Sequence, residues 1–489
     1  MSPKGITLLG LGPGDPELLT RQAWRILKDC TEIYLRTSLH PVVQGLPQHV
    51  EVHSFDYLYD SEDSFEAVYA QIVNRVIVLG ARSEGVIYAV PGHPFVVEST
   101  GPEIAQRAKL EGIPIKIVEG LSFLEPVFSA LCLDPFPNTT MVDGLELAQA
   151  HVPPFPPNFP AVIAQIHSRQ VASDVKLCLM ANYPDVHRVH LVHAAGTPQQ
   201  LVEEMALYEI DRVDDIGLLT CLFVPPLEPE TSFEAFQEVI ANLRAPDGCP
   251  WDREQTHQSL RSHLLEETYE LIAAIDVEDS QAMREELGDL LLQILLHAQI
   301  GSEFGEFNMA EILESIHKKI VSRHPHVFGD LELADAGRVV ENWERIKELE
   351  RAENGKEDSS LLDGIAMTLP ALVQSEKYQQ RAAHVGFDWP DIEGVWDKLN
   401  EELKEVDNAG DGVERSAEIG DVLFAIVNLA RWFNVDPESA LREANLRFRK
   451  RFHYIERQAR AQGRSVVDLS LEEMEVLWQQ AKRENTETS

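Results

Sequence analysis

The sequence is short of basic residues. Of its 489 residues, 42 are Lys or Arg and 81 are Asp or Glu, a formal net charge of −39. The deficit runs along the whole chain: 14 basic against 29 acidic residues up to Glu230, and 28 against 52 after it. A field of this sign argues against a partner held by a phosphate backbone, so no nucleic-acid partner is expected. A small phosphorylated substrate stays open, because a bound metal reverses the sign locally. No apolar run approaches the ~20 residues that cross a bilayer, so no membrane partner is expected either. The N-terminus lacks the basic, apolar and small-residue succession of a signal peptide. Five scattered cysteines without C-x-x-C spacing suit reduced thiols, and the expected location is cytoplasmic. No G-x-x-x-x-G-K-[ST] loop is present, which excludes P-loop chemistry.

What is present is an ordinary globular composition, 44% hydrophobic and 25% charged. The length suggests roughly three domains. Residues 1–230 alternate short apolar runs (6–11, 33–35, 86–90, 115–118, 161–166, 189–192) with helix-like segments such as 18–27 and 101–109. This is the pattern of an α/β domain. Segment 151–160 holds five prolines and is expected to link two lobes of that domain; PPLEPE at 225–230 reads as its exit. From Ser232 strand-like runs vanish and helical spacing takes over. The polar stretch 351–360 separates two helical segments, 231–350 and 361–489.

Those two segments repeat one acidic pattern. The first reads Glu266-Glu267-Thr-Tyr-Glu270, then 15 residues, then Glu286-Leu-Gly-Asp289. The second reads Glu401-Glu402-Leu-Lys-Glu405, then 12 residues, then Glu418-Ile-Gly-Asp421. Carboxylates at i and i+3 share a helical face. Two antiparallel helices would bring four of them to one point, which is costly unless a cation joins them. All-oxygen ligands select Mg²⁺ or Mn²⁺ over zinc. A basic pair at i,i+4 follows each cluster, Lys319 and Arg323 after His317, and Arg447 and Arg451 after Asn445. Such pairs suit phosphates. Lys377 and Trp389 precede the second cluster, and Trp389 is a candidate to stack on a base.

Residues 239–330 (CPWDREQTHQSL, LLEETYE, EELGDLLLQ, RHPHVFGD) and 361–457 (KYQQRAAHVGFDWP, EELKEV, EIGDVLFAIVNLAR, ANLRFRKRF) closely resemble the tandem domains of MazG nucleoside triphosphate pyrophosphohydrolases. The resemblance implies an all-α fold with two domains packed as a pseudo-dimer or in a larger dimer, a homodimer being expected, and Mg²⁺-dependent cleavage of NTP or dNTP to the monophosphate and pyrophosphate. It implies metal ligands at Glu267, Glu270, Glu286 and Asp289, and at Glu402, Glu405, Glu418 and Asp421. Glu266 and Glu401 are candidates to orient or deprotonate the attacking water. The second repeat, which keeps Asn445 where the first has His317, is expected to carry most of the hydrolysis.

In the N-terminal half, Gly10-Leu-Gly12-Pro13-Gly14-Asp15 lies between a strand-like and a helix-like run, where backbone N–H groups can approach a ligand. Gly92-His93-Pro94 and Glu119-Gly120-Leu121-Ser122 follow two further strand-like runs. Together these resemble the loops of the tetrapyrrole methylase family over residues 5–225, departing from its G-D-P at His93 and from its P-G-x-S at Glu119. That resemblance implies a two-lobed α/β fold holding S-adenosylmethionine, with Gly10, Gly12, Pro13, Gly14, Asp15, Gly92, His93, Pro94, Gly120 and Ser122 as candidate contacts. The run Gln165-Ile-His-Ser-Arg169, Asp174, Lys176 and the turn at Ala194-Ala195-Gly196 are lesser candidates. The combination resembles the YabN-type fusion proteins of bacteria. The domain limits expected are 1–230, 231–350 and 361–489. The N-terminal domain is expected to act either as a methyltransferase or as a ligand sensor regulating the hydrolase.

Overall fold

The computed structural model describes residues 4–62, 64–331, 335, 337–339, 342–343, 345–346, 350 and 360–486. The linker expected at 351–360 lies outside them except for Ser360. The chain divides into two compact units, Met1–Glu254 and Gln255–Ser489.

The first unit opens with five parallel strands, β1 (Ile6–Gly10), β2 (Glu32–Leu35), β3 (Glu51–Ser54), β4 (Val86–Val90) and β5 (Ile115–Val118), in the order β3-β2-β4-β1-β5. Helices α1 (Arg21–Asp29), α2 (Phe65–Gly80) and α3 (Thr100–Leu110) connect them. Parallel strands buried by such crossovers need apolar residues throughout. Ile6, Leu8, Leu9, Tyr88, Ala89 and Val90 accordingly have 1% exposure or less. After α4 (Leu124–Leu131), the second lobe sets β6 (Thr140–Asp143), β7 (Ala161–Ala164), β8 (Arg188–His193), β9 (Leu201–Ala206) and β10 (Thr220–Val224) in a mixed sheet, β6-β7-β10-β8-β9, with α5 (Arg169–Leu179). Helix α6 (Phe233–Arg244) and a further short helix at Pro250–Glu254 close the unit.

The structure alters three local expectations. The proline-rich segment 151–160 does not link the lobes. It lies between β6 and β7, which pair with each other, so it is internal to the second lobe; the link is 132–139. Helix α1 starts at Arg21, not at residue 18. Asp15 accepts from Glu17 N–H at 2.9 Å and starts a 3₁₀ turn over Pro16–Leu18, and Thr20 then caps α1. Four strands exceed the six expected. β3, β6 and β9 are sheet edges whose polar residues interrupt any apolar run. β10 is a buried central strand, with the composition of one, that the pattern above does not include.

The second unit is helical throughout its described residues. Its frame is two hairpins. In the first, α7 (Arg261–Asp276) and α8 (Ser280–Phe304) are joined by three residues, and Asp279 caps α8 by accepting from Gln281 N–H and Ala282 N–H. Helix α9 (Met309–Arg323) and then α10 (Ala371–His384) follow. In the second hairpin, α11 (Ile392–Asn408) and α12 (Gly412–Trp432) are again three residues apart, and Asp411 caps α12 through Val413 N–H and Glu414 N–H. Each such cap stabilises its helix by about 1 kcal/mol. Helices α13 (Pro437–Ala461) and α14 (Leu471–Thr486) complete the unit.

Candidate metal centres and glycine loops

The short hairpins fold each acidic motif back on itself. In the first, Glu267, Glu270 and Glu286 each offer a carboxylate oxygen within 4.8 Å of the others; in the second, Glu402, Glu405 and Glu418 do the same. Asp289 and Asp421 stand outside these groups of three. Asp289 is nonetheless near enough to act on the first. Burial, then Asp289, Glu270 and Glu266, raise the Glu267 pKa above the usual carboxylate range; burial, then Glu270 and Asp289, raise that of Glu286. Glu405 is raised likewise, by burial and then by Glu402 and Glu418. Carboxylates that resist joint ionisation, with oxygen as the sole donor type, fit a hard divalent cation that would relieve the repulsion.

The two centres differ one turn upstream. Lys398 Nζ lies 2.7 Å from Glu402 Oε1 and 3.1 Å from Glu401 Oε1. Glu402 is buried, and its carboxylate is the main cause of the raised Lys398 pKa. The matching residue of the first repeat is His263, whose Nδ1 is 3.8 Å from Glu266. The signal for Lys398 in the sequence is its i,i+4 spacing to Glu402, which puts the two on one helical face.

The basic and aromatic candidates stand on other helices. Lys319 is exposed on α9 beside His317, and Arg323 on the same helix pairs with Glu350, Nη2 to Oε2 at 2.5 Å. On α13, Asn445 is exposed and Arg447 pairs with Glu443 at 3.1 Å. Arg451 lies over the ring of Trp478 on α14, 5.4 Å from its centroid. Trp478 is 27 positions further on, too far for any spacing rule to have found it. Lys377 is exposed on α10. Trp389 packs on Gly394 at the start of α11, where an added Cβ would lie 2.7 Å from the indole, so half of its surface is already used in packing.

In the first unit, the loops after β1, β4 and β5 meet at the carboxyl ends of their strands. Leu11 N–H donates to Val90 O at 2.9 Å, and Gly12 and Gly92 exchange hydrogen bonds of 3.2 and 2.8 Å. A Cβ on Gly10 would sit 2.5 Å from Gly120 N, and one on Gly120 would sit 2.3 Å from Gly92 O. Only glycine permits this closeness. The turn at Ala194–Gly196 closes on the first loop: Asp15 N–H donates to Gly196 O at 3.1 Å, and Cβ atoms on Gly14 and Gly196 would meet Thr197 and Pro13. His93 Nδ1 accepts from Phe95 N–H at 3.1 Å, next to Pro94. Ser122 is buried, accepts from Leu124 N–H and donates to Glu125, so its hydroxyl is engaged at the start of α4. Of the lesser candidates, Gln165 bonds Asp143, Asp174 accepts from Gln170 and Lys176 pairs with Asp211, all structural contacts.

Comparison with known proteins agrees with this division. Residues 5–211 match the family model for tetrapyrrole (corrin/porphyrin) methylases, and residues 255–328 match that for the MazG nucleotide pyrophosphohydrolase domain. The chain is 46% identical over 250 residues to the nucleoside triphosphate pyrophosphohydrolase/pyrophosphatase MazG of Thermotoga maritima, covering 51% of this chain and 95% of that one. It is 44% identical over 252 residues to the nucleoside triphosphate pyrophosphohydrolase of Escherichia coli, covering 50% and 95%. It is 42% identical over 486 residues to the uncharacterized protein YabN of Bacillus subtilis, covering 98% of both chains. The chain therefore belongs to the YabN family, in which a two-lobed α/β tetrapyrrole methylase-like domain precedes a helical MazG pyrophosphohydrolase region.

Proposed function

We propose that the helical half hydrolyses nucleoside triphosphates, NTP or dNTP, to the monophosphate and pyrophosphate. The observation that carries this is the pair of three-carboxylate groups at Glu267, Glu270, Glu286 and Glu402, Glu405, Glu418. They would hold Mg²⁺, or Mn²⁺ in its place, with Asp289 and Asp421 as further ligands. The chemistry such an ion would supply there is Lewis-acid stabilisation of negative charge on phosphate oxygens. Glu401 and Glu266 orient or deprotonate the attacking water, and Lys398 holds Glu401 in place. Asn445, Arg447 and Arg451, with Lys319 and Arg323 in the first repeat, hold the phosphates. Lys377 and Trp389 complete the substrate contacts, and Trp478 beside Arg451 offers a second face for a base. The domain limits proposed from the sequence are 1–230, 231–350 and 361–489, whereas the compact units divide at Glu254.

The glycine loops of the first unit bind S-adenosylmethionine or its demethylated product, through Gly10–Asp15, Gly92–Pro94, Gly120 and Ser122. The domain then acts as a methyltransferase or as a sensor that regulates the hydrolase. Nucleotides are the partners; no nucleic-acid partner is proposed for so acidic a chain. Among the described residues no helix is long and apolar enough to cross a membrane. A homodimer is supported by exposed apolar stripes: Leu313, Ile316 and Ile320 on α9, and Ile419, Leu423 and Ile426 on α12. The cysteines are free thiols, which supports the cytoplasm. The test is a screen of purified protein against all NTPs and dNTPs with Mg²⁺, scoring pyrophosphate against orthophosphate.

A further inference from the structure

Beside the glycine loops lies a charged group that neither acidic motif nor glycine pattern accounts for. Arg36 is the first residue past β2, and its backbone N–H donates to Ala89 O of β4 at 3.0 Å. Its side chain therefore stands at the carboxyl edge of the parallel sheet, where ligands of such sheets sit. Nη1 pairs with Glu98 Oε2 at 2.5 Å. The Glu98 side chain is 1% exposed and also accepts from Thr100 N–H at 3.0 Å and from its hydroxyl at 2.5 Å; that hydroxyl and the fully buried Tyr88 hydroxyl lie 2.9 Å apart. Val97, just before Glu98, takes a left-handed φ of 51°, a conformation that β-branched residues rarely adopt and that constrained sites retain.

Glu98 uses one end of the guanidinium. Nε is buried and has no hydrogen-bond partner, and the side chain keeps 21% exposure. His40 is buried nearby. It bonds a carbonyl of the first glycine loop, at Pro13, and its Nδ1 has no partner. The loops after β1, β2 and β4 thus converge on one cation whose Nη1 is held by Glu98 and whose buried Nε has no partner. Two parallel N–H donors fit a planar carboxylate. A phosphate dianion fits poorly, because the buried Glu98 charge sits against the same guanidinium.

We propose that Arg36 is a ligand-binding residue whose Nε–Nη2 edge takes a carboxylate of a molecule seated at the glycine loops. The inference rests on the reading that these loops bind S-adenosylmethionine or its product. The carboxylate has two sources, the aminoacyl group of that cofactor or an acid group of the acceptor molecule.

Calorimetry on the full chain separates them, using S-adenosylhomocysteine, 5′-methylthioadenosine, which lacks the aminoacyl carboxylate, and the polycarboxylate uroporphyrin added with S-adenosylhomocysteine. Arg36→Met should weaken one carboxylate ligand about tenfold or more, the scale of a charge-assisted hydrogen bond, and leave methylthioadenosine within about twofold. Loss at S-adenosylhomocysteine identifies the cofactor carboxylate; loss at uroporphyrin alone identifies the acceptor. Arg36→Lys, which keeps the charge without the fork, should recover only part of the affinity. Arg36→Met strands the Glu98 charge, so Arg36→Met/Glu98→Gln serves as the second variant, with thermal unfolding as the control for folding. Unchanged affinity for both carboxylate ligands in a folded variant overturns the proposal. A wild type that binds neither adenosyl ligand but binds uroporphyrin through Arg36 overturns the cofactor reading alone, and one that binds none of the three overturns both.

Discussion

Lys398 and Glu402 form a 2.7 Å ion pair within one turn of α11, so an ammonium already neutralises one of the carboxylates of the second proposed metal centre. Metal and ammonium compete for that charge. Lys398→Met should lower the Mg²⁺ concentration giving half-maximal turnover a few-fold, since it frees the buried Glu402 carboxylate of its ammonium partner. It should also raise the KM for nucleotide, because a cation leaves a site that a triphosphate must enter. A higher Mg²⁺ requirement would mean that Lys398 organises the ligands instead of competing for them.

The glycine loops make a steric prediction. Gly120→Ala would set a methyl 2.3 Å from Gly92 O, with backbone on both sides and nothing flexible to yield. It should lower the stability of the first unit by about 1–3 kcal/mol and abolish S-adenosylhomocysteine binding, read by thermal unfolding and calorimetry. Gly112→Ala is the comparison. Unlike Gly120 it is left-handed, at φ 69°, but it has nothing within 4 Å, so it should cost backbone strain and leave binding intact.

The first unit should be acid-sensitive through His40. Burial is the main cause that lowers its pKa from 6.5 to about 4, and the Arg36 charge adds to it. The folded state therefore binds the proton less readily than the unfolded chain. Stability is complete above pH 6.5 and falls as pH drops from 6.5 toward 4, by up to roughly 3 kcal/mol. His297 in α8 acts in the same direction, lowered by burial and by His257, whose Nδ1 is 2.7 Å from its own. Glu267, Glu286 and Glu405, with raised values, act oppositely and gain as pH falls. Unfolding midpoints of wild type and His40→Asn between pH 7.5 and 4.5 isolate the first effect: the variant should show the shallower loss.

Much of this was legible in the sequence because helical periodicity and carboxylate spacing are local. The i,i+3 pairs and the three-residue connections ending in Asp279 and Asp411 bring both sets of carboxylates together. What the sequence hid depends on distant partners. Asp289 and Asp421 share the spacing of the other carboxylates, yet stand outside the tight groups, because hairpin geometry and not periodicity sets that distance. Arg451 and Trp478 meet only when α14 folds back on α13. Arg36 and Glu98 are 62 residues apart and are brought together by the pairing of β2 with β4. The edge strands β3, β6 and β9 escaped because solvent lets them carry charge.

The repeats should differ in activity. Both group three carboxylates, but the second buries Glu402 and retains Asn445 and the Arg451–Trp478 contact. Glu402→Gln should reduce kcat/KM by orders of magnitude, and Glu267→Gln should leave substantial activity. The reverse pattern would assign the working site to the first repeat.

The most direct test of the account is product analysis on the purified full chain. With Mg²⁺ and an NTP or dNTP, it predicts monophosphate and pyrophosphate in equal amounts, with turnover abolished by a chelator and restored by added Mg²⁺ or Mn²⁺. Diphosphate and orthophosphate as the main products, or turnover that survives chelation, would contradict it.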